Sequence, residues 1–238
     1  MSILPYPARL KSFRHRLLGS LFPGSCLLCG SDSGNTTICT ACHGDLPLLP
    51  EQRCPLCADQ TTHGERCGAC LKDPPHFDRA LAAFRYDFPL DRLIHALKYG
   101  HQLAITEWCA EQLMPLLAGS HFDRIIPLPL HADRLRERGF NQSGEIAKKL
   151  AALFTTPVDL ASLCRTRATT PQADLPHKER QRNVRGAFEC RSDLSGQHIL
   201  LIDDVLTTAA TANECARVLK LHGAATVTVA VLARALKD

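Results

Sequence analysis

The sequence predicts an α/β fold in which a mostly parallel sheet, flanked by helices, follows a small cysteine-rich module. Strand-like apolar segments alternate with amphipathic helical segments from about residue 75 onward, which is typical of a parallel sheet with helices on both faces. Eight of the twelve cysteines lie in four C-x-x-C pairs within the first 70 residues, a pattern typical of metal-binding turns. The 238 residues are enough for one sizeable core and one accessory module.

The first 25 residues are predicted to contain a lead-in helix over residues 9–21. This segment is basic and partly apolar, but it lacks a continuous apolar stretch followed by a small-residue cleavage site, so we do not expect a signal peptide. No stretch approaches the roughly 18 consecutive apolar residues of a membrane span. We therefore expect a cytoplasmic protein with three parts: residues 1–25, a double ribbon over 26–74, and an α/β domain over 75–238.

The cysteine pairs form an internal repeat, because the pattern C-x2-C-x9-C-x2-C occurs twice. Two thiolates separated by two residues converge on one metal ion from a tight turn. Two such turns complete a tetrahedral site of four thiolates, which structural zinc prefers. The predicted zinc ligands are Cys26, Cys29, Cys39 and Cys42 in the first site and Cys54, Cys57, Cys67 and Cys70 in the second.

Three other uses of these cysteines are less consistent with the sequence. A disulfide framework is typical of secreted chains, and a thioredoxin-like redox pair needs only one C-x-x-C beside a β-α-β unit. An iron–sulfur cluster also takes four thiolates, and the sequence does not exclude it. Zinc is favoured, although a zinc ribbon has no fixed function. Eight basic and seven acidic residues in the first 80 argue against nucleic-acid binding by this module.

Residues 75–238 supply the sheet and its helices in alternating order. The helical segments have apolar residues at helical spacing and stop signals such as Gly100 and Pro157, whereas the strands are short and apolar. The predicted strands are residues 79–87, 124–130, 198–204 and 225–234. The predicted helices are residues 89–100, 106–119, 140–154 and 208–224. Ligands of such sheets bind at the carboxyl ends of the strands, which is where Asp203 and Asp204 are expected.

The stretch LLIDDVLTTAAT, residues 200–211, joins a buried strand to a helix. Backbone N–H groups at a helix N-terminus are unpaired, and small side chains let a phosphate approach them closely. Two carboxylates beside an anion site are explained if the ligand also carries vicinal hydroxyl groups. The order strand, acidic pair, loop and helix therefore predicts a sugar-phosphate site, whereas an acidic pair alone would indicate only a helix start.

This stretch resembles the 5-phosphoribosyl-1-pyrophosphate (PRPP) motif of type I phosphoribosyltransferases. The resemblance implies that Asp203 and Asp204 bind the ribose 2- and 3-hydroxyls, that Mg²⁺ accompanies PRPP, and that the following loop holds the 5-phosphate. The loop residues are Thr207, Thr208, Ala209, Ala210 and Thr211. The family commonly has Gly at the position of Ala209. We expect Ala209 to lie in the ordinary helical region, and the acidic pair to lie at an exposed strand end.

Three further segments make the resemblance specific to one family: LFPGSCLLCG (21–30), PLPLHADRLRERGFNQS (127–143) and CRTRATTPQADLPHKERQRNVRGAF (164–188). Together with the acidic stretch, they are similar to the ComF family of competence proteins, whose members join an N-terminal zinc ribbon to a phosphoribosyltransferase domain. The resemblance covers nearly the whole chain. It implies a type I phosphoribosyltransferase-like sheet, bound zinc, and a link to the uptake of single-stranded DNA during natural transformation.

The positive charge is concentrated between residues 131 and 191, with twelve Lys or Arg against seven Asp or Glu. Guanidinium groups suit pyrophosphate oxygens, and in type I enzymes the pyrophosphate loop occupies this part of the fold, so Arg134 and Arg138 are the candidates for pyrophosphate. Salt bridges with Asp133 and Glu137 on a helix surface are the alternative, above all for Arg136. Residues 165–188 resemble the mobile flap of the family, with matching polar positions at Arg165, Arg167, Gln172, Arg180 and Asn183. A solvated loop is the alternative for this segment. Lys98 also matches a recurrent basic position, without an assigned role.

Three functions are consistent with these patterns. A phosphoribosyltransferase would act at the anomeric carbon of PRPP, mainly through positioning and stabilisation of the leaving pyrophosphate, although no general base is evident. A PRPP or nucleotide sensor would use the same site without transfer. A single-stranded-DNA or protein adaptor is the third, but the chain is only 5% aromatic, and bases usually stack on aromatic side chains. We therefore rank contact with an uptake or helicase protein above direct DNA binding.

Overall fold

The computed structural model describes residues 24–168 and 182–236. The predicted lead-in helix, Gln172 and Arg180 lie outside these residues. The chain divides into two compact units, with the boundary between Leu46 and Pro47. In the first unit, strands β1 (Gly24–Ser25) and β2 (Asp32–Gly34) pair antiparallel, and the short helix α1 (Thr40–Gly44) follows.

The second unit contains the sheet and the remaining helices. Its elements are α2 (Gly68–Lys72), β3 (Arg79–Arg85), α3 (Leu90–Tyr99), α4 (Ala104–Leu117), β4 (Arg124–Pro127), α5 (Ala132–Arg138), α6 (Gln142–Phe154), β5 (Leu163–Arg165), β6 (Phe188–Cys190), β7 (His198–Leu206), α7 (Ala210–Leu221) and β8 (Thr226–Arg234). Four strands form one sheet in the order β3-β8-β7-β4, and all its neighbours are parallel. This confirms the predicted fold class.

The apolar patterns of the sequence explain these elements. In β7, residues 199–202 are all buried, as expected of a central parallel strand covered on both faces. Helix α3 buries its apolar face through Leu90, Leu93, Ile94 and Leu97, and α6 and α7 bury one face in the same way. Among the described residues, no helix combines the length and the apolar character needed to cross a membrane.

Three features differ from the predicted elements. β7 continues past the acidic pair to Leu206, so the carboxylates lie within the strand. The segment 132–138 is helical and ends at Gly139 with φ 75°, a left-handed conformation that glycine adopts without strain. The described ends of the predicted flap form an antiparallel pair, β5 and β6.

The second cysteine group belongs to the same compact unit as the sheet. Cys54, Cys57 and Cys70 are buried in one apolar cluster with residues of β7, α7 and β8. The backbone N–H of Ala80 in β3 also donates a hydrogen bond to the carbonyl of Leu56, at 2.7 Å. The two cysteine groups therefore lie in different compact units. The predicted boundaries after residues 25 and 74 remain predictions.

Candidate functional site

Asp203 and Asp204 lie where β7 extends beyond its partner β4. The β4–β7 pairing ends at Ile202, whereas β8 continues alongside β7, with Asp203 opposite Val231. The first turn of α6 contacts the pair on the open side, through Gln142 and Ser143. The expectation of an exposed strand end is wrong, because Asp204 is only 4% exposed.

Asp204 is held by a half-buried cation and an amide. Lys98, at the end of α3, places its Nζ 3.0 Å from Oδ1 of Asp204, and Nε2 of Gln142 donates to Oδ2 at 3.1 Å. Burial alone would lower the pKa of Lys98, but the negative charges of Asp204 and Asp203 raise it overall. Lys98 is therefore a charged partner of the acidic pair.

Asp203 is held more weakly and carries the perturbed carboxyl group. Its Oδ1 accepts hydrogen bonds from Oγ of Ser143 and from the backbone N–H of Asp204, both at 2.9 Å. Burial and the adjacent charge of Asp204 raise the pKa of Asp203 to about 7, against the opposing effect of Lys98. A carboxyl group with this pKa changes its charge near neutral pH.

The loop after β7 has an unusual backbone conformation at Ala209. This residue has φ 62° and ψ 2°, in the left-handed region, and precedes α7 as its N-cap. The expectation that Ala209 is helical is therefore wrong. Non-glycine residues rarely adopt this region. Because an alanine adopts it here, we infer that the path of the loop requires a bend at this position.

The bend leaves backbone donors free at the start of α7. Within residues 24–168 and 182–236, no acceptor is found for the N–H groups of Thr208 and Ala209. The N–H of Ala210 has only a long contact of 3.4 Å to Oγ1 of Thr208. Unpaired N–H groups at the N-terminus of a twelve-residue helix favour an anionic ligand.

The predicted pyrophosphate arginines lie on or at the end of α5, in different surroundings. Arg134 forms an ion pair with Glu137 at 3.8 Å, and Arg136 forms one with Asp133. Both pairs agree with the salt-bridge alternative. Arg138 lies over the ring of Tyr99, 5.1 Å from its centroid. Within the described chain, the buried Nε of Arg138 has no hydrogen-bond acceptor.

The described part of the predicted flap brings further cations together. The guanidinium of Arg165 lies 5.4 Å from the ring centroid of Phe188. Burial and the positive charges of Arg134 and Arg167 lower the pKa of Arg165, while Asp203 acts in the opposite direction. Arg134, Arg167 and Asp203 are therefore close enough to Arg165 to affect its pKa. Arg167 donates to the carbonyls of Asn183 and Arg185, at 3.0 and 2.9 Å.

Each cysteine group has the geometry of a four-thiolate metal site. The four sulfur atoms within each group lie within 4.8 Å of one another, and Cys29–Cys39 and Cys57–Cys67 have Sγ–Sγ distances of 3.8 and 3.6 Å. Zn–S bonds of about 2.3 Å in a tetrahedron place the sulfurs about 3.8 Å apart. All twelve cysteines are free thiols, which argues against a disulfide framework. The residues present therefore fit two structural zinc ions.

The sequence reasoning missed several residues of this site. Gln142 and Ser143 carry no motif of their own, although Asn141 directly before them is the N-cap of α6 and signals a helix start near the acidic pair. Lys98 was matched to a recurrent position without a role. Arg234, at the end of β8, contacts both the second cysteine group and the loop after β7, and no local pattern indicates it.

Comparisons with known proteins agree with this architecture. Residues 17–71 match the family described as "Double zinc ribbon domain", and residues 137–238 match the family described as "Phosphoribosyl transferase domain". The chain is 41% identical over 114 residues to the DNA utilization protein YhgH of Escherichia coli O157:H7, covering 48% of this chain and 50% of that protein. It is 32% identical over 116 residues to Competence protein F of Haemophilus influenzae, covering 48% and 51%. The chain thus spans about half the length of the curated relatives that it matches.

Two solved structures show weaker likeness. One is adenine phosphoribosyltransferase from Thermoanaerobacter pseudethanolicus, with a TM-score of 0.37, 17% identity, and coverage of 58% of this chain and 83% of that chain. The other is Leishmania donovani UMP synthase, with a TM-score of 0.36, 21% identity, and coverage of 60% and 24%. The two domain matches and the two named relatives confirm the resemblance recognised from the sequence, since the chain joins a match to the double zinc ribbon domain to a match to the phosphoribosyl transferase domain and is similar to Competence protein F.

Proposed function

We propose that this protein binds PRPP, or a related nucleotide, together with Mg²⁺ in the region between β7 and α7, and that it serves the uptake or use of DNA. The observation that carries the proposal is the pair of N–H groups of Thr208 and Ala209, which are free within the described chain and lie in the loop that follows the strand of the acidic pair. The free N–H groups suit a phosphate, and the carboxylates suit the hydroxyls of a ribose.

In this proposal, the two carboxylates of the acidic pair have different roles. Within the described residues, Oδ2 of Asp203 has no hydrogen-bond donor, whereas each oxygen of Asp204 already contacts Lys98 or Gln142. We therefore assign Asp203 the principal hydrogen bond to a ribose hydroxyl. Asp204 receives a second hydroxyl only through a remaining lone pair, while its ion pair with Lys98 holds the strand end in place.

The arginines provide the positive charge for the pyrophosphate. Arg134 lies in the same region as Arg165 and Arg167, and the Nε of Arg138 is free within the described chain. Arg138 and Arg134 would therefore bind pyrophosphate oxygens, with Mg²⁺ neutralising the remaining charge. If the bond at the anomeric carbon breaks, the same groups stabilise the departing pyrophosphate.

Calorimetric titration of the full-length chain with PRPP and Mg²⁺ tests the binding, and Asp203→Asn tests its site. We expect saturable binding by the wild type and at least a tenfold loss of affinity in Asp203→Asn. Arg136→Gln is the matched control, because Arg136 is paired with Asp133 on the surface of α5. Unchanged affinity in Asp203→Asn would contradict the assignment.

Release of pyrophosphate separates the two functions that share this site. Incubation with PRPP, Mg²⁺ and a panel of nucleobases releases pyrophosphate if the protein is a transferase, and leaves PRPP intact if it is a sensor. The link to DNA is supported by the names of the relatives, DNA utilization protein and Competence protein F. A transformation assay with a strain that carries Asp203→Asn tests this link, since a wild-type frequency of transformation would contradict it.

A further inference from the structure

The side chain of Arg234 connects the second cysteine group to the loop after β7. Arg234 is the last residue of β8 and is only 2% exposed. Its Nε donates to the carbonyl of Cys57 at 2.9 Å, and its Nη1 donates to the carbonyl of Leu206 at 3.0 Å and to that of Thr207. One guanidinium thus bonds the backbone of a predicted zinc ligand and the backbone of the predicted phosphate loop.

The charge of Arg234 is balanced within the same cysteine turn. Its Nη2 lies 3.5 Å from Oδ2 of Asp59, which is also buried. Asp59 in turn accepts, through its carbonyl, the N–H of Cys54 at 2.7 Å. A buried guanidinium needs both a counter-charge and several acceptors, and the turn that carries the zinc ligands supplies both.

These bonds orient the peptide units that lead into the loop. In a planar trans peptide unit, the carbonyl and the following N–H point in opposite directions. When the carbonyls of Leu206 and Thr207 point to Arg234, the N–H groups of Thr207 and Thr208 must point away from it. The free N–H of Thr208 is therefore directed by a side chain that is itself fixed on the second cysteine turn.

We propose that Arg234 is a positioning residue that couples zinc in the Cys54, Cys57, Cys67 and Cys70 site to the conformation of the phosphate loop. Loss of this zinc frees the Cys57 carbonyl and Asp59, so that the guanidinium loses the partners that hold it. The loop then loses its preformed N–H donors. The proposal deepens the proposed function and, for its effect on ligand affinity, rests on it.

Hydrogen exchange measured by mass spectrometry on the full-length chain tests the coupling without any ligand. Cys67→Ser releases zinc from the second site, and Cys39→Ser is the matched variant that releases zinc from the first. Arg234→Lys keeps the charge but removes the forked donor geometry. We expect the amides of residues 213 and 235, which donate hydrogen bonds to the carbonyls of Ala209 and Leu206 at the two ends of the loop, to exchange at least tenfold faster in Cys67→Ser and in Arg234→Lys, and at the wild-type rate in Cys39→Ser.

The exchange of α6 serves as the control for general unfolding. Wild-type exchange of the amides of residues 213 and 235 in Arg234→Lys, or in a Cys67→Ser protein that has lost one zinc, would overturn the proposal. So would an increase in Arg234→Lys that extends equally to residues 142–154, because Arg234 would then support the whole unit rather than the loop.

Zinc extraction and ligand binding provide the second readout. Coupling between binding free energies is reciprocal, so saturating PRPP and Mg²⁺ should raise the zinc affinity of Cys39→Ser, which retains only the second site, in equilibrium competition with a chelator. Arg234→Lys should bind PRPP about tenfold more weakly. If the wild type binds no PRPP, the proposed function fails, while the exchange of the amides of residues 213 and 235 still decides the coupling. If the wild type binds PRPP and Arg234→Lys binds it equally well, the coupling fails and the proposed function stands.

Discussion

The left-handed conformation of Ala209 predicts that Ala209→Gly stabilises the protein slightly. The left-handed region costs an L-residue about 1–2 kcal/mol, and Ala209 has φ 62°. Glycine removes this strain but adds about 0.5–1 kcal/mol of unfolded-state entropy. We therefore expect the free energy of unfolding to rise by about 0.5 kcal/mol.

Ala210→Gly is the matched control, because it lies one residue later and inside α7. There, glycine brings the same entropic cost and relieves no left-handed strain. The unfolded-state contribution is common to both variants, so the difference between them reports the strain together with the loss of the buried methyl group of Ala210. The free energy of unfolding of Ala209→Gly should therefore be higher than that of Ala210→Gly by at least about 1–2 kcal/mol.

Urea denaturation at a fixed free-zinc concentration measures this difference, provided that the slope with denaturant is the same in both variants. Equal stability of the two variants would refute the left-handed conformation. Affinity for PRPP makes a separate test. Because the bend is a feature of the fold, the strain is the same before and after binding, and Ala209→Gly should change the affinity by less than threefold, about 0.65 kcal/mol. A larger gain would mean that the bend forms only on binding.

Three other outcomes follow from the site and the cysteine groups. The purified protein should contain two zinc ions per chain by elemental analysis, and Cys39→Ser should contain one; iron in place of zinc would contradict the assignment. The pKa of Asp203 is raised to about 7, so the folded state holds this proton more tightly than the unfolded chain. The free energy of unfolding should therefore fall as the pH rises from about 4 to 7. Urea titrations of Asp203→Asn should lack this pH-dependent loss of stability. Lys98→Met removes the cation 3.0 Å from Asp204, and this loss should raise the pKa of Asp203 further. The same pH-dependent loss of stability should then extend to higher pH. An unchanged dependence of stability on pH would refute the role of Lys98.

Local spacing was sufficient to predict the metal sites and most of the fold. The C-x-x-C turns bring thiolates together through a few residues of chain, so their geometry depends little on the rest of the molecule. The same holds for the helical spacing of α3 and the apolar run of β7. The order strand, acidic pair, loop and helix could also be read from consecutive residues.

The chemistry around the acidic pair depends on residues that are distant in sequence. Lys98 and Gln142 reach Asp204 only because α3 and α6 pack at the end of β7 where β4 has ended. The sequence therefore could not show that Asp204 is buried or that the pKa of Asp203 is raised, because both depend on desolvation and charges supplied by other elements.

The backbone of the loop depends on the fold for the same reason. Alanine at position 209 has no local reason to leave the helical region, so the sequence predicted the wrong conformation. The end of β7, held alongside β8 and bonded to Arg234, constrains the chain before it turns into α7. Arg234 reaches Cys57 across 177 positions of sequence, and no local pattern encodes a hydrogen bond that forms only when the sheet brings these two segments together.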